Sequence, residues 1–113
     1  MDVRYYVDDQ GRSPVTRWIY KLRDKATRTR ILSHIAKMEL GNFGDSKPVG
    51  DGVSELRIHF GQGYRVYYSR QGNEIILLLC AGDKSTQTQD VANAKAYLKN
   101  YKERSKDDEK ERS

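Results

Sequence analysis

The sequence predicts one α+β domain in which helices pack on a mostly antiparallel four-stranded sheet, in the order β-α-α-β-β-β-α. Three observations carry that expectation. Residues 13–40 show helical apolar spacing in two blocks. Residues 53–81 hold three strand-like blocks separated by glycine turns. Residues 86–101 return to helical spacing. At 113 residues the chain fits one domain and is long enough to bury a core without disulfides or metal.

The elements follow in order. Val3 to Val7 is apolar and aromatic and runs into Asp8-Asp9-Gln10-Gly11, a short strand and its turn. Ser13-Pro14 opens a helix: Ser caps it, and Pro at the first helical position lacks only an N–H that would have no partner there. Val15, Ile19 and Leu22 form its apolar stripe. Trp18 lies beside them and reads as packing. Asp24 starts a second helix with Ala26, Ile31, Leu32, Ile35 and Met38 on one side, closed by Gly41-Asn42. Phe43 to Gly52 carries small turn formers and Pro48 and reads as a long loop.

Val53 to Phe60 is a strand, Gly61-Gln62-Gly63 a hairpin connection, and Tyr64 to Arg70 the next strand. Gln71-Gly72-Asn73 turns into Glu74 to Ala81, whose continuous apolar run places it at the sheet centre. Gly82-Asp83-Lys84-Ser85 is a loop. Thr86 and Gln89 form a capping-box pattern for a last helix, packed through Val91, Ala94, Leu98 and Tyr101. Beyond Arg104 there is no apolar residue, and fraying is expected.

Net charge is +5. Lys102 to Ser113 holds five basic and five acidic residues, so the excess lies in the folded body. A basic body suits a polyanionic or acidic partner. Cys80 is the single cysteine, so no internal disulfide forms, and one cysteine with two distant histidines makes no zinc site. No secretory pattern opens the chain. Its longest apolar run, Ile75 to Ala81, is too short to span a membrane. The expectation is a soluble cytoplasmic protein without cofactor.

Alternation assigns the strand faces. Leu56, Ile58 and Phe60 share one side with Tyr64, Val66 and Tyr68, the core side. Glu55, Arg57 and His59 then share the outer side with Arg65 and Tyr67. A hairpin sets these residues side by side, while the position of Lys84 relative to them stays open at this level. An ordinary solvated face, with Glu55 pairing one arginine, is the plain alternative. The cluster is net positive, however, and suits RNA cleavage. Arginine forks hold phosphate oxygens and the charge developing on phosphorus. Lysine or histidine moves protons between a 2′-hydroxyl and the leaving oxygen. Tyr67 offers a ring for an unpaired base. No carboxylate cluster for magnesium is evident.

Glu55-Leu56-Arg57-Ile58, Gly63-Tyr64-Arg65-Val66-Tyr67 and Gly82-Asp83-Lys84-Ser85-Thr86-Gln87 together resemble the RelE/ParE toxin superfamily. The HigB-like branch, the addiction-module killer proteins, also shares a stretch like Leu40-Gly41-Asn42-Phe43-Gly44-Asp45 through Pro48-Val49-Gly50. The resemblance covers roughly residues 2–104, so residues 1–104 are expected to form a RelE-like toxin domain with 105–113 as a polar tail. It implies the toxin of a type II toxin–antitoxin pair, cutting mRNA on the ribosome by metal-independent 2′-hydroxyl attack. Arg57, Arg65 and Lys84 match the phosphate-contacting and catalytic basic residues, and His59 lies where some members have a basic residue. The family's C-terminal tyrosine has no clean counterpart. The general base is therefore open among Asp90, Tyr97, Tyr101 and His59. The implied partners are the ribosome, mRNA and a helix-turn-helix, HigA-like antitoxin.

Two other functions fit such a fold: a ParE-like gyrase inhibitor, and a module that only binds RNA or protein. Lys25, Arg28 and Arg30, with Lys21 and Arg23, form either a solvated helix face or a grip on ribosomal RNA. His34 reads as structural or solvent-facing.

Overall fold

The computed structural model describes residues 1–112. Its elements are β1 (Asp2–Tyr5), α1 (Pro14–Lys21), α2 (Lys25–Glu39), β2 (Asp45–Gly50), β3 (Val53–Ile58), β4 (Tyr64–Gln71), β5 (Ile75–Asp83) and α3 (Gln87–Arg112), with a 3₁₀ turn at Lys84–Thr86 before α3. The α+β class stands, but the sheet has five strands and is mixed, in the order β1-β5-β4-β3-β2. β1 runs parallel to β5, while β2, β3, β4 and β5 are successively antiparallel.

The fifth strand is β2, within the segment expected to be a loop. It lies at the edge, where Pro48 loses no necessary hydrogen bond, and its pairing with β3 shifts register between Pro48 and Gly50.

α1 begins as its sequence dictates: the Ser13 side chain accepts from Thr16 N–H at 3.2 Å, with Pro14 next. Asp24 caps α2 by accepting from Ala26 N–H. On α2 the buried residues are Thr27, Ile31, Ile35 and Met38, whereas Ala26 and Leu32, expected inward, are exposed. Both helices cover one sheet face, where Val15, Ile31 and Met38 meet Leu56, Ile58, Val66 and Leu78.

The other face is covered in part. α3 closes much of it, packing Ala94 and Leu98 over Val53, Tyr67, Leu77 and Leu79. α3 continues to Arg112, through the segment expected to fray as a polar tail, and Ser113 lies outside the described residues. The expected capping box is absent. Instead Asp83 accepts from Ser85 N–H at 2.8 Å, Thr86 donates to Asp90 Oδ2 at 2.6 Å, and Gln89 donates to Asn93.

The register settles where Lys84 falls. Tyr64 pairs with Asp83 and Arg65 with Gly82, so β5 delivers Lys84 to the β3–β4 hairpin end.

Candidate phosphate-binding site

Arg57 and Arg65 stand directly opposite each other on β3 and β4. Like charges so placed repel. Glu55, two residues earlier on the same face of β3, relieves this. Its Oε1 accepts from Arg57 Nε at 3.1 Å and lies 3.4 Å from Arg65 Nε. Its Oε2 accepts from Gln87 Nε2 at 3.1 Å, which ties the start of α3 to β3. The carboxylate is wholly buried. Burial pushes its pKa up, but the bonds from Arg57 and Gln87 and the charge of Arg65 outweigh this and hold it below the ordinary carboxylate range. Glu55 was expected to point outward and is instead the buried hub between both arginines.

Arg65 is the unusual member. Its side chain is only 12% exposed. Its contact with Glu55 is an ion pair without hydrogen-bond alignment, and neither Nε nor Nη1 has a hydrogen-bond partner. Arg57 is more open, at 33%. Glu55 thus serves both guanidiniums, Asp45 opposite Arg57 and Asp83 near Arg65 add negative charge around them, and the more open Arg57 keeps donors for an anion.

Lys84 is exposed beside this pair. Its stem lies over Gly63, where an added Cβ would come within 3.1 Å of Lys84 Cε. Gly63 also has φ +86°, so two constraints require glycine there.

His59 borders the cluster through Asp45, which stands opposite Arg57 on β2. It is exposed and its Nε2 lies 2.6 Å from Asp45 Oδ2, across on β2. Tyr67 shares the arginines' face but is fully buried under α3, so its ring is not available to a base. Its hydroxyl lies beside the Glu55 carboxylate without full hydrogen-bond geometry. Burial, and then the Glu55 charge, raise its pKa well above the ordinary phenol value.

The α2 cations divide. Arg28 Nη1 donates to Leu22 O at 2.8 Å, closing the end of α1. Arg30 lies over the Phe60 ring, 4.7 Å from its centroid, near the hairpin tip. Lys25 is exposed and lines an α2 surface groove with Arg30, His34 and Lys37. Of the residues named for the general base, Asp90 lies by the strand position paired with Arg65 and His59 lies two residues beyond Arg57. Asp90 packs over Gly82, the partner of Arg65, so closely that a Cβ on Gly82 would collide with its Oδ2. Burial raises the Asp90 pKa, partly offset by the bond from Thr86. Tyr97 stacks on Tyr6. Tyr101 lies about 16 Å further along α3 from Asp90 at helical rise.

Sequence reasoning missed Gln87 and misplaced Glu55. The two-residue spacing of Glu55 and Arg57 signals a shared face, but pairing with Gln87 spans 32 residues and has no local mark. Among the described residues, no three His, Cys, Asp or Glu side chains gather as a metal site, and no helix is long and apolar enough to cross a membrane.

A small α+β domain with paired arginines at one end of its sheet has relatives. The model of the phage-derived protein Gp49-like family (DUF891) matches residues 17–103. The chain belongs to that family, a toxin–antitoxin-related family of the RelE/addiction-module killer type. An uncharacterized protein of Haemophilus influenzae is 49% identical over 78 residues, covering 69% of this chain and 79% of that protein.

Proposed function

We propose that this protein is the toxin of a type II pair and an endoribonuclease that cuts mRNA on the ribosome, in the manner of the HigB-like branch. The observation that carries this reading is Arg65: a nearly buried guanidinium with two N–H groups unpartnered, facing a second arginine. Buried charge without full pairing costs stability. A phosphate group is the ligand whose planar-fork recognition offsets that cost.

In the reaction, Arg57 and Arg65 bind the non-bridging oxygens of the scissile phosphate. The 2′-hydroxyl loses its proton to a base and attacks phosphorus. The P–O5′ bond breaks, leaving a 2′,3′-cyclic phosphate, and the 5′-oxygen takes up a proton. Lys84 donates to that oxygen. Asp90, made more basic by burial, is our choice of base, since His59 is already bonded to Asp45. Lys25 and Arg30 contribute charge toward ribosomal RNA, and the neutralising partner is a HigA-like helix-turn-helix antitoxin.

Arg65→Ala tests the assignment. Cutting of mRNA on translating ribosomes should fall about 10²–10³-fold, the usual loss for one such donor. Unchanged cutting would remove Arg65 from the site. Absence of cuts with the wild-type protein would defeat the nuclease reading, and a gyrase supercoiling assay would then test the ParE-like alternative.

A further inference from the structure

β1 pairs with β5 only as far as Tyr5 and Leu78, with one further bond from Tyr6 N–H to Leu78 O at 2.8 Å. From Leu79 to Asp83 the outer edge of β5 faces no strand. A groove of about 350 Å³ runs along it, floored by Cys80 and Ala81, between α1 and the first turns of α3. Trp18 and Tyr97 give it ring surface, Asp90 and Asn93 give it polar ends, and Arg12 and Arg17 stand at its rim.

We propose that this groove is a nucleobase subsite, holding one unpaired base of the RNA strand whose phosphate sits on Arg57 and Arg65. The proposal rests on the nuclease reading and deepens it. Adjacency is the first support. Arg65 pairs with Gly82, and Asp90 packs directly over Gly82 while lining the groove. The phosphate site and the groove thus share a wall about one strand spacing thick, within the phosphate-to-base reach of a single nucleotide.

Size is the second support. The volume lies at the small end of ligand pockets, fit for one nucleoside and too narrow for a duplex. Chemistry is the third. Asn93 Oδ1 accepts from Gln89 Nε2 at 2.9 Å, which leaves the Asn93 amide N–H groups as donors. Those donors can read the acceptor atoms of a base edge beside the Trp18 and Tyr97 rings. Arg12 and Arg17 are exposed at the rim and act on Asp8, which also lines the groove; the two cations outnumber that carboxylate and can meet the next phosphate.

Trp18 is the chain's single tryptophan, so its emission reports on the groove. The experiment titrates the full chain with each nucleoside 3′-monophosphate, and with inorganic phosphate as the control. Saturable quenching by nucleotides but not by phosphate is expected. Arg17→Glu, at an exposed site, and Asn93→Leu should each weaken it about tenfold, the size of one lost polar contact. Asn93→Leu should also change the base preference of mapped cut sites. No quenching by any nucleotide, or equal quenching in both variants, overturns the proposal even where ribosomal cutting is normal. Nucleotide quenching without ribosomal cutting upholds the subsite and defeats the nuclease reading instead. Protection of the Leu79–Asp83 amides by an added antitoxin chain, with no response to nucleotides, assigns the edge to strand addition by a peptide and also overturns it.

Discussion

One face of the sheet carries two environments within a few residues. Beneath α3, Val53, Tyr67, Leu77 and Leu79 meet Ala94 and Leu98 and form a dry apolar layer. Toward the β3–β4 hairpin, the same face of β3 and β4 carries Glu55, Arg57 and Arg65. The boundary is where α3 begins: Gln87 is its first residue and bonds to Glu55. Packing thus closes one end of the face and ion pairing closes the other. The first is paid in apolar area. The second keeps guanidinium donors beside an opening, which an apolar layer cannot do.

The largest expected effects come from breaking each end separately. Leu79→Ala under α3 should cost about 3 kcal/mol in urea unfolding, as for a fully buried leucine. Glu55→Gln should cost about 3 kcal/mol as well, because it removes the buried carboxylate that pairs with both facing guanidiniums. The two losses separate by pH. The Glu55 pKa is lowered in the folded state, so its stabilisation is present above the ordinary carboxylate pKa and is lost as pH falls through the lower folded value. The gap between wild type and Glu55→Gln should therefore shrink in acid, while the gap for Leu79→Ala stays constant. A Glu55→Gln gap that does not change with pH would mean the carboxylate does not hold the arginines.

Gly82→Ala probes the seam between Arg65 and Asp90. Its Cβ would lie 2.6 Å from Thr86 Oγ1 and still closer to Asp90 Oδ2, so the Thr86–Asp90 bond must give way. A loss of about 2 kcal/mol is expected, in the range for overpacking, with cutting reduced as well. A variant as stable as wild type would show that α3's first turn moves freely over β5.

This division explains which parts were legible in the sequence. The α1 start at Ser13-Pro14, the α2 start at Asp24 and the β3–β4 hairpin were marked by local chemistry, and the structure has them. β2 was not legible, because an edge strand with Pro48, flanking glycines and Val49 as its one β-branched residue lacks the apolar alternation that would announce it. Alternation correctly grouped Arg57 and Arg65 on one face, but alternation cannot tell whether that face is covered. Coverage depends on where α3 lands, a long-range fact carried by contacts such as Gln87 to Glu55 and Asn100 to Tyr6. The bond from His59 to Asp45 was hidden for a related reason: Asp45 sits on the unannounced strand.

Tyr67 lies at the boundary itself, opposite Glu55 on β4, and gives the smallest and most discriminating effect. Its ring belongs to the dry layer, yet its hydroxyl reaches toward the charged end, buried beside Glu55 without full hydrogen-bond geometry. A buried hydroxyl so placed contributes little bond energy to set against its desolvation. Tyr67→Phe keeps the ring and removes that group, so stability should stay level or rise by up to about 1 kcal/mol. Cutting should be retained, since the ring is closed to any base. A loss of more than about 1 kcal/mol would show that the hydroxyl serves Glu55 after all. It would also move the boundary between packing and ion pairing one residue further beneath α3.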